Sequence, residues 1–437
     1  MTVSKYCPNT ADCGLAHHAG IGSHIDRHFA PQAVRIPPKR KTVLVLTSTF
    51  PRWEGDREPP FVFELSKRLA QEFEVLILAP HAEGARRREV MAGLQVYRFR
   101  YFLAAGETLA YNGGILANLK RKRRNYLLVP FFALGELVEL IRLLRTTRID
   151  AIHAHWIIPQ GLVAIIANFF APGGGKPIIV CTSHGGDLFG LSGRLFGAIK
   201  RLVIARSEKF TVVSQAMRDY AQALAQRDDI EVIPMGVDLT QRFIPSQDTA
   251  RSTTDILFVG RLVEKKGVRY LIEAMPRILA GHPSMRLSIA GDGPDRQQLQ
   301  KLAQELGVAS AVNFLGAVDQ ASLREKYRSA TLFVAPSVVA KGGDQEGLGL
   351  VFVEALGCAC PVIASDLPAV KDVIIDGETG LTCRQNDSVD LADKIDYLLE
   401  RPELRHRLGE AGRRHVTARF DWETIAQRYA NLIRESI

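Results

Sequence analysis

Two acidic residues stand eight positions apart in EGLGLVFVEALGCACPVIAS, which runs from Glu346 to Ser365. After Glu346 the only charge in that stretch is Glu354, set among Val, Phe, Leu, Ala and Cys. A carboxylate in such company is buried, and burial is costly unless a partner holds it. An ionised carboxylate only accepts hydrogen bonds, so hydroxyl groups suit it. Along a fully helical path the two acids lie roughly 12 Å apart. Gly347 and Gly349 stand where that helix would begin, and small residues there let an anion reach free backbone N–H groups. One long molecule satisfies the pattern, with phosphate at the helix start, ribose at one acid and a hexose at the other.

Cations for such a phosphate come earlier. FVGRLVEKKG places Gly260, Arg261, Lys265 and Lys266 directly after a strand pattern. Arg offers a planar fork to phosphate oxygens and Lys a mobile point charge, although a surface loop of unpaired bases would read the same way. AGDGPD brings Gly291 and Gly293 into a tight turn, but the third glycine of a dinucleotide fingerprint is absent. In the first half, HAHWIIPQG and TSHGGDLFG both follow strand patterns and supply His155, His184 and Asp187. Helix capping or core hydrogen bonding is the plainer use of His155 and Asp187.

The elements that position these residues alternate. KTVLVLTSTF, EVLILAP, LQVYRFRYF, DAIHAHW, PIIVCTSHG and EKFTVVS read as strands, with helical patterns between them, including PPFVFELSKRLAQEF and about 130–146. A second series follows: DILFVG, MRLSIAG, AVNFLG, TLFVAPS and PVIAS. Such alternation implies parallel sheets covered on both faces. The expected organisation is a polar tail over 1–38, a first Rossmann-like lobe over 39–240, a linker over 241–254, a second lobe over 255–420 and a closing amphipathic helix over 421–437. Ligands of such sheets bind beyond the carboxyl ends of the strands, here in the cleft between lobes.

The chain has 437 residues and a formal charge of +9. Lys39 to Arg148 holds 20 Lys/Arg against 11 Asp/Glu, which accounts for the whole excess. Its densest block, Lys120, Arg121, Lys122, Arg123 and Arg124, precedes YLLVPFFALGELVELIRLL. Basic charge beside aromatic and aliphatic residues suits an anionic membrane surface, and a solvated loop before a core helix is the plainer alternative. No helix-turn-helix, zinc-finger or RNA-recognition signature accompanies the charge, so nucleic acid is not an expected partner. WIIPQGLVAIIANFFAPGGG is uncharged, but Pro159, Pro172 and its polar residues leave too short an apolar core to span a bilayer. Residues 1–30 contain no apolar run of the signal-peptide kind, and the six cysteines form no disulfide framework, so the cytoplasm is expected. Cys7, Cys13, His17, His18, His24 and His28 could ligate zinc, but their spacing fits no finger pattern and a disordered tail is expected.

Taken together, Glu346-x7-Glu354 with GLGL between, preceded by GRLVEKKG, resembles the retaining glycosyltransferases of family four, over roughly residues 41 to 430. The resemblance implies a GT-B fold, two facing Rossmann-like lobes. It implies that Arg261 and Lys266, beside Gly260, Gly291 and Gly293, bind the diphosphate of a nucleotide-sugar. Glu354 would hold the ribose. Glu346 would contact the transferred sugar, supported by backbone at Gly347, Leu348 and Gly349. His184, in a His-Gly-x-Asp-like element, would lie near the reacting carbon. The first loop departs from the family pattern, with Gly55–Asp56 where Gly-Gly is frequent, and IPMGVD has Met235 where Asn is frequent. Arg52, Gly55, Asp56, His155 and Asp187 are the acceptor-side candidates. The implied reaction is hexosyl transfer without metal or other cofactor to a hydroxyl of a lipid-linked or surface-polysaccharide glycan, on the cytoplasmic membrane face. An epimerase of the same fold and a silent sugar-nucleotide binder are the alternatives.

Overall fold

The computed structural model describes residues 40–437, apart from Arg57, Pro59, Gly174 and Gln247. The Cys/His-containing tail, and with it the zinc reading, lies outside the described residues.

Runs without a polar face become central strands. β1 (Thr42–Leu46), TVLVL, is buried at every position, as a strand covered on both faces must be. It joins β2 (Glu74–Pro80), β3 (Arg88–Met91), β4 (Leu94–Phe99), β5 (Ala151–His155), β6 (Ile178–Ser183), β7 (Lys209–Val212) and β8 (Ile230–Val232) in one sheet, ordered β3-β4-β2-β1-β5-β6-β7-β8. All pairings are parallel except β3 with β4. The all-parallel expectation is corrected there. β3 is an edge hairpin strand, turned at Ala92 and Gly93, both at positive φ, and its half-exposed REVM carries no apolar run to betray it.

β9 (Asp255–Val259), β10 (Arg286–Ala290), β11 (Val312–Gly316), β12 (Leu332–Ala335), β13 (Val362–Ser365) and β14 (Leu381–Cys383) form a second sheet, all parallel, ordered β11-β10-β9-β12-β13-β14. The strand order reverses between β1 and β5 in the first lobe and between β9 and β12 in the second. Crevices open at the carboxyl ends of strands flanking such reversals. The loops after β5 and β6 on one side, and after β9 and β12 on the other, therefore position the site.

One apolar cluster runs through both lobes, from Leu46, Leu78 and Leu188 to Leu257, Phe333 and Phe352. The 241–254 stretch is tied to the second lobe. Phe243 is buried, and the Arg251 guanidinium donates to the carbonyls of Tyr327, Ala330 and Cys358.

The last helix, Trp422–Ser436, returns to the first lobe. Its apolar face packs Trp422, Ile425, Tyr429 and Ile433 into one cluster with Val43, Val45 and Leu65. Asp421 caps it, accepting from Glu423 N–H at 3.0 Å and from Leu239 N–H at 3.1 Å. The IPMGVD segment supplies the floor: a methyl on Gly236 would overlap the Trp422 indole. Gly236→Ala is expected to destabilise the protein by about 1–3 kcal/mol, seen as a lower urea midpoint. An unchanged midpoint would show that the closing helix is not seated on this glycine.

Candidate active site

The second-lobe wall begins where β9 and β10 end. Gly260 N–H donates to Ala290 O at 3.0 Å, Leu262 N–H to Asp292 O at 3.0 Å and Gly291 N–H to Gly316 O at 2.8 Å. The loops lie backbone against backbone. A methyl on Gly291 would overlap the Gly260 carbonyl, and one on Gly293 that of Leu262. Close loop packing thus accounts for these two glycines without a ligand.

Gly260 also lies beside Lys266, whose Cε is 3.6 Å from the position a Gly260 methyl would take. The Lys266 ammonium is ion-paired with Glu346. Lys265 reaches Asp344 at 3.0 Å, so both lysines are tied to the loop after β12. Arg261 differs. It is exposed, has no ion pair among the described residues, and reaches across to the first lobe, 3.1 Å from the position of a methyl on Gly113. Glu58, in the loop after β1, accepts from the neighbouring Asn112 N–H and so fixes that wall.

Glu346 leads through Gly347, buried Leu348 and Gly349 into the helix Leu350–Gly357. Gly347 faces the first lobe: a methyl there would stand 3.1 Å from His184 O and 3.6 Å from Gly185 Cα. This contact brings His184 beside the residue that follows Glu346. Glu354 lies deeper in that helix. Its Oε2 accepts from Tyr327 hydroxyl at 3.0 Å, and no salt bridge to a neighbouring base forms among the described residues.

On the first-lobe side, β5 and β6 end in three imidazoles. His155 Nδ1 lies 2.9 Å from His184 Nε2, and the rings stack with centroids 5.2 Å apart. His153 Nε2 lies 2.8 Å from Thr182 Oγ1. Asp187 is 3% exposed, and its oxygens accept from Ile157 N–H at 2.7 Å, Ser183 hydroxyl at 2.9 Å and His184 N–H at 3.3 Å. That carboxylate ties the His184 loop to the turn after β5; this is the capping use rather than an acceptor contact. Arg52 and Asp56 likewise close on each other through two 2.8 Å hydrogen bonds, with exposed Gly55 between them at φ +80°. The structure therefore joins Gly260, Lys266, Glu346, Gly347, His184 and His155 in one chain of contacts, with Arg261 at the Gly113 edge. Sequence reasoning missed Tyr327, Lys200 and His153. Lys200, buried, donates to the Leu188 and Leu191 carbonyls and pins the His184 loop. His153 was legible, since alternate residues of a strand share a face and HAH puts two imidazoles together.

A model described as "Glycosyl transferases group 1" matches residues 241–415, and "Glycosyltransferase Family 4" matches 60–241. The chain belongs to this family of retaining glycosyltransferases. It is 30% identical over 295 residues to a glycogen synthase of Mycobacterium tuberculosis, covering 64% of this chain and 68% of that one. It is also 30% identical over 310 residues to a GDP-mannose-dependent monoacylated alpha-(1-6)-phosphatidylinositol monomannoside mannosyltransferase of Corynebacterium glutamicum, covering 68% and 79%. Among solved structures it resembles sucrose-phosphate synthase from Thermosynechococcus elongatus, with TM-score 0.73, 22% identity, and 91% and 99% of the two chains covered. Anabaena HepE in complex with UDP and glucose superposes with TM-score 0.68 at 17% identity, over 91% of this chain and all of that one. These likenesses establish the GT-B fold.

The two acids of this glycosyltransferase sit in opposite environments. Burial pushes Glu346 up, but Lys266, then Lys265 and the Gly347 N–H, outweigh it and hold the carboxyl below its usual range. Burial raises Glu354 to about 7, against smaller lowering by the Tyr327 hydroxyl and Arg242. Burial, then the His153 charge, lowers His184 to about 3, and burial alone does the same to His153. All three rings of the stack are neutral at pH 7.

Glu354 binds its proton more tightly folded than unfolded. Its contribution to stability is therefore complete below about pH 4.5 and is lost as pH rises to about 7. Glu354→Gln keeps the acceptor for Tyr327 and removes the charge. It is expected to raise the melting temperature of the ligand-free protein at pH 8, by about 2 kcal/mol of stability, and much less at pH 5. Equal shifts at both pH values would show that the carboxyl is not held in a desolvated site.

Proposed function

We propose that this glycosyltransferase moves a hexosyl group from a nucleotide-sugar to a hydroxyl of a lipid-linked or surface-polysaccharide glycan, with retention and without a metal ion. The observation that carries the reading is the Lys266–Glu346 pair set against His184 at the seam between the lobes. In the ligand-free state Lys266 is neutralised by Glu346. A donor diphosphate would take over Lys266, joined by Arg261, which has no ion pair among the described residues, and leave Glu346 free to accept from sugar hydroxyls. Glu354, once ionised, would accept from the ribose.

As the bond from the anomeric carbon to the diphosphate breaks, positive charge spreads over the sugar ring and negative charge gathers on the leaving group. Arg261, Lys266 and the amino end of the helix Leu350–Gly357 would stabilise that negative charge. The acceptor oxygen bonds to the same face of the carbon, and its proton passes to the departing diphosphate. A double displacement would need a carboxylate free to attack. With the donor bound, Glu346 would be occupied by sugar hydroxyls and Glu354 is held by the Tyr327 hydroxyl, so front-side attack is the better reading.

The test is nucleotide release from a donor panel that includes UDP-glucose and GDP-mannose, with and without lipid extract. Acceptor-dependent release, little affected by EDTA and reduced about 100-fold by Lys266→Ala, supports the transferase. Conversion of the donor without acceptor would indicate an epimerase, and binding without turnover a silent module.

The acceptor side is read as membrane-facing. Lys120, Arg121, Lys122, Arg123 and Arg124 are all exposed. Beside them Leu127, Phe131, Leu134 and Val138 form an exposed stripe at helical spacing, with Leu127 73% exposed, and Phe102 packs against Phe131. An apolar stripe with a basic collar is complementary to an anionic bilayer. Among the described residues no helix is long and apolar enough to cross a membrane. Sedimentation with phosphatidylglycerol vesicles should fall strongly when the five bases are neutralised, and also in a Leu127→Ser, Phe131→Ser double variant. Unchanged sedimentation in both would remove this surface from the reading.

A further inference from the structure

Tyr327 carries a hydroxyl that packing does not ask for. Its ring is fully buried near the end of the helix Gln320–Ser329, edge-on to Phe243 and Phe333 with centroids 6.1 and 5.5 Å away. A phenylalanine would fill that space. A hydroxyl taken out of water costs free energy unless it is hydrogen-bonded. The only partner of this one among the described residues is Glu354 Oε2, at 3.0 Å.

The pair is fastened from behind. The Arg251 guanidinium donates to Tyr327 O at 3.1 Å, to Ala330 O at 2.8 Å and to Cys358 O at 3.0 Å. It ties the end of the helix that carries Tyr327 to the end of the helix that carries Glu354. Hydroxyl and carboxylate therefore meet at a fixed place rather than as two free side chains.

The two oxygens of Glu354 are not alike. Oε2 is taken by Tyr327. Oε1 has no hydrogen-bond partner among the described residues, yet it is not one of the enclosed orphan atoms, and Glu354 is part-exposed. The last torsion of a glutamate is broad and roughly two-fold, so a free carboxylate would turn and exchange its oxygens. The bond from Tyr327 opposes that rotation and leaves Oε1 as the acceptor on the open side.

We propose that Tyr327 is a positioning residue for donor recognition: its hydroxyl fixes Glu354 by Oε2 and so presents Oε1 to the ribose hydroxyls of the nucleotide. The fixed carboxylate stands on the geometry; naming ribose as its ligand rests on the donor reading above.

The measurement is equilibrium binding of nucleoside diphosphates to the full chain at pH 8, above the value to which burial raises Glu354. UDP, GDP and ADP are compared first, and the tightest is carried forward with its two forms lacking a single ribose hydroxyl. Wild type is expected to bind the ribonucleotide about 10-fold more tightly than the form without the hydroxyl that meets Oε1, the scale of one hydrogen bond to a charged group. Tyr327→Phe, which keeps the ring, should shrink that gap to about 2-fold. Glu354→Gln should shrink it as well, because Tyr327 holds the amide oxygen and turns the NH2 outward. Tyr327→Phe added to Glu354→Gln should cost no further affinity. A Tyr327→Phe variant that weakens all three nucleotides by one factor, or leaves them unchanged, would overturn the proposal and reduce the hydroxyl to packing. A Glu354→Gln variant that keeps the full gap would overturn it with no change made at Tyr327. A wild type that binds nucleotide without regard to either ribose hydroxyl would instead overturn the ribose reading of Glu354, and with it the ligand named here.

Discussion

The site depends on two backbones meeting without side chains between them. Gly185 of the first lobe and Gly347 of the second approach so closely that a methyl on Gly185 would stand 3.3 Å from Gly347 Cα. Gly185 also sits at φ +100°, a conformation that costs other residues strain. This contact sets His184 against the turn that carries Glu346. A methyl on either glycine would press the two backbones a few tenths of an ångström apart, whatever became of each lobe's own core. The glycines at 260, 291 and 293 do similar service within one lobe, bringing two loops together so that Lys266 projects from a fixed base.

Charge across that seam is sorted rather than balanced. The imidazoles of the first-lobe wall are neutral, because burial keeps His153, His155 and His184 uncharged. The second-lobe wall carries the ions, and its two acids have drifted in opposite directions, Glu346 down beside its lysines and Glu354 up in its apolar helix. Acids pushed apart in this way are suited to different tasks. Glu346 is a permanent anion that holds a cation in reserve. Glu354 changes charge near neutrality and is cheapest to keep protonated while the pocket is empty.

The sequence made the central strands plain because both faces of β1, β2 and β9 are covered and nothing polar interrupts them. β3, β8 and β14 were not visible, being three or four residues long and partly exposed, so no apolar run marks them. Residue types at the site were legible for the same reason that Glu354 was conspicuous: a charge in an apolar run must be explained. Pairings were not legible. Tyr327 meets Glu354 across 27 residues of chain, and only the packing of the helices Gln320–Ser329 and Leu350–Gly357 brings them together. Arg52 with Asp56, and Asp187 with its three donors, show the converse. Their types suited a ligand, but other groups of the protein already occupied them, the Ile157 N–H from thirty residues away among them.

The helix Leu128–Thr146 joins the outer surface to the site. Its exposed stripe runs through Phe131, Leu134 and Val138, while Phe132, Glu136 and Leu140 face inward. Glu136 meets the Gln160 amide at 3.2 Å, and Gln160 belongs to the turn Ile157–Gly161, which begins two residues after His155. Burial raises Glu136 to about 8, so the contact is made by a neutral acid and buries no net charge at pH 7. A bilayer docked on the outer stripe would lie only one helix diameter, about 10 Å, from the loop that orients the histidine stack. The same rigid element would then set both the distance of the cleft from the lipid surface and the placement of its first-lobe wall.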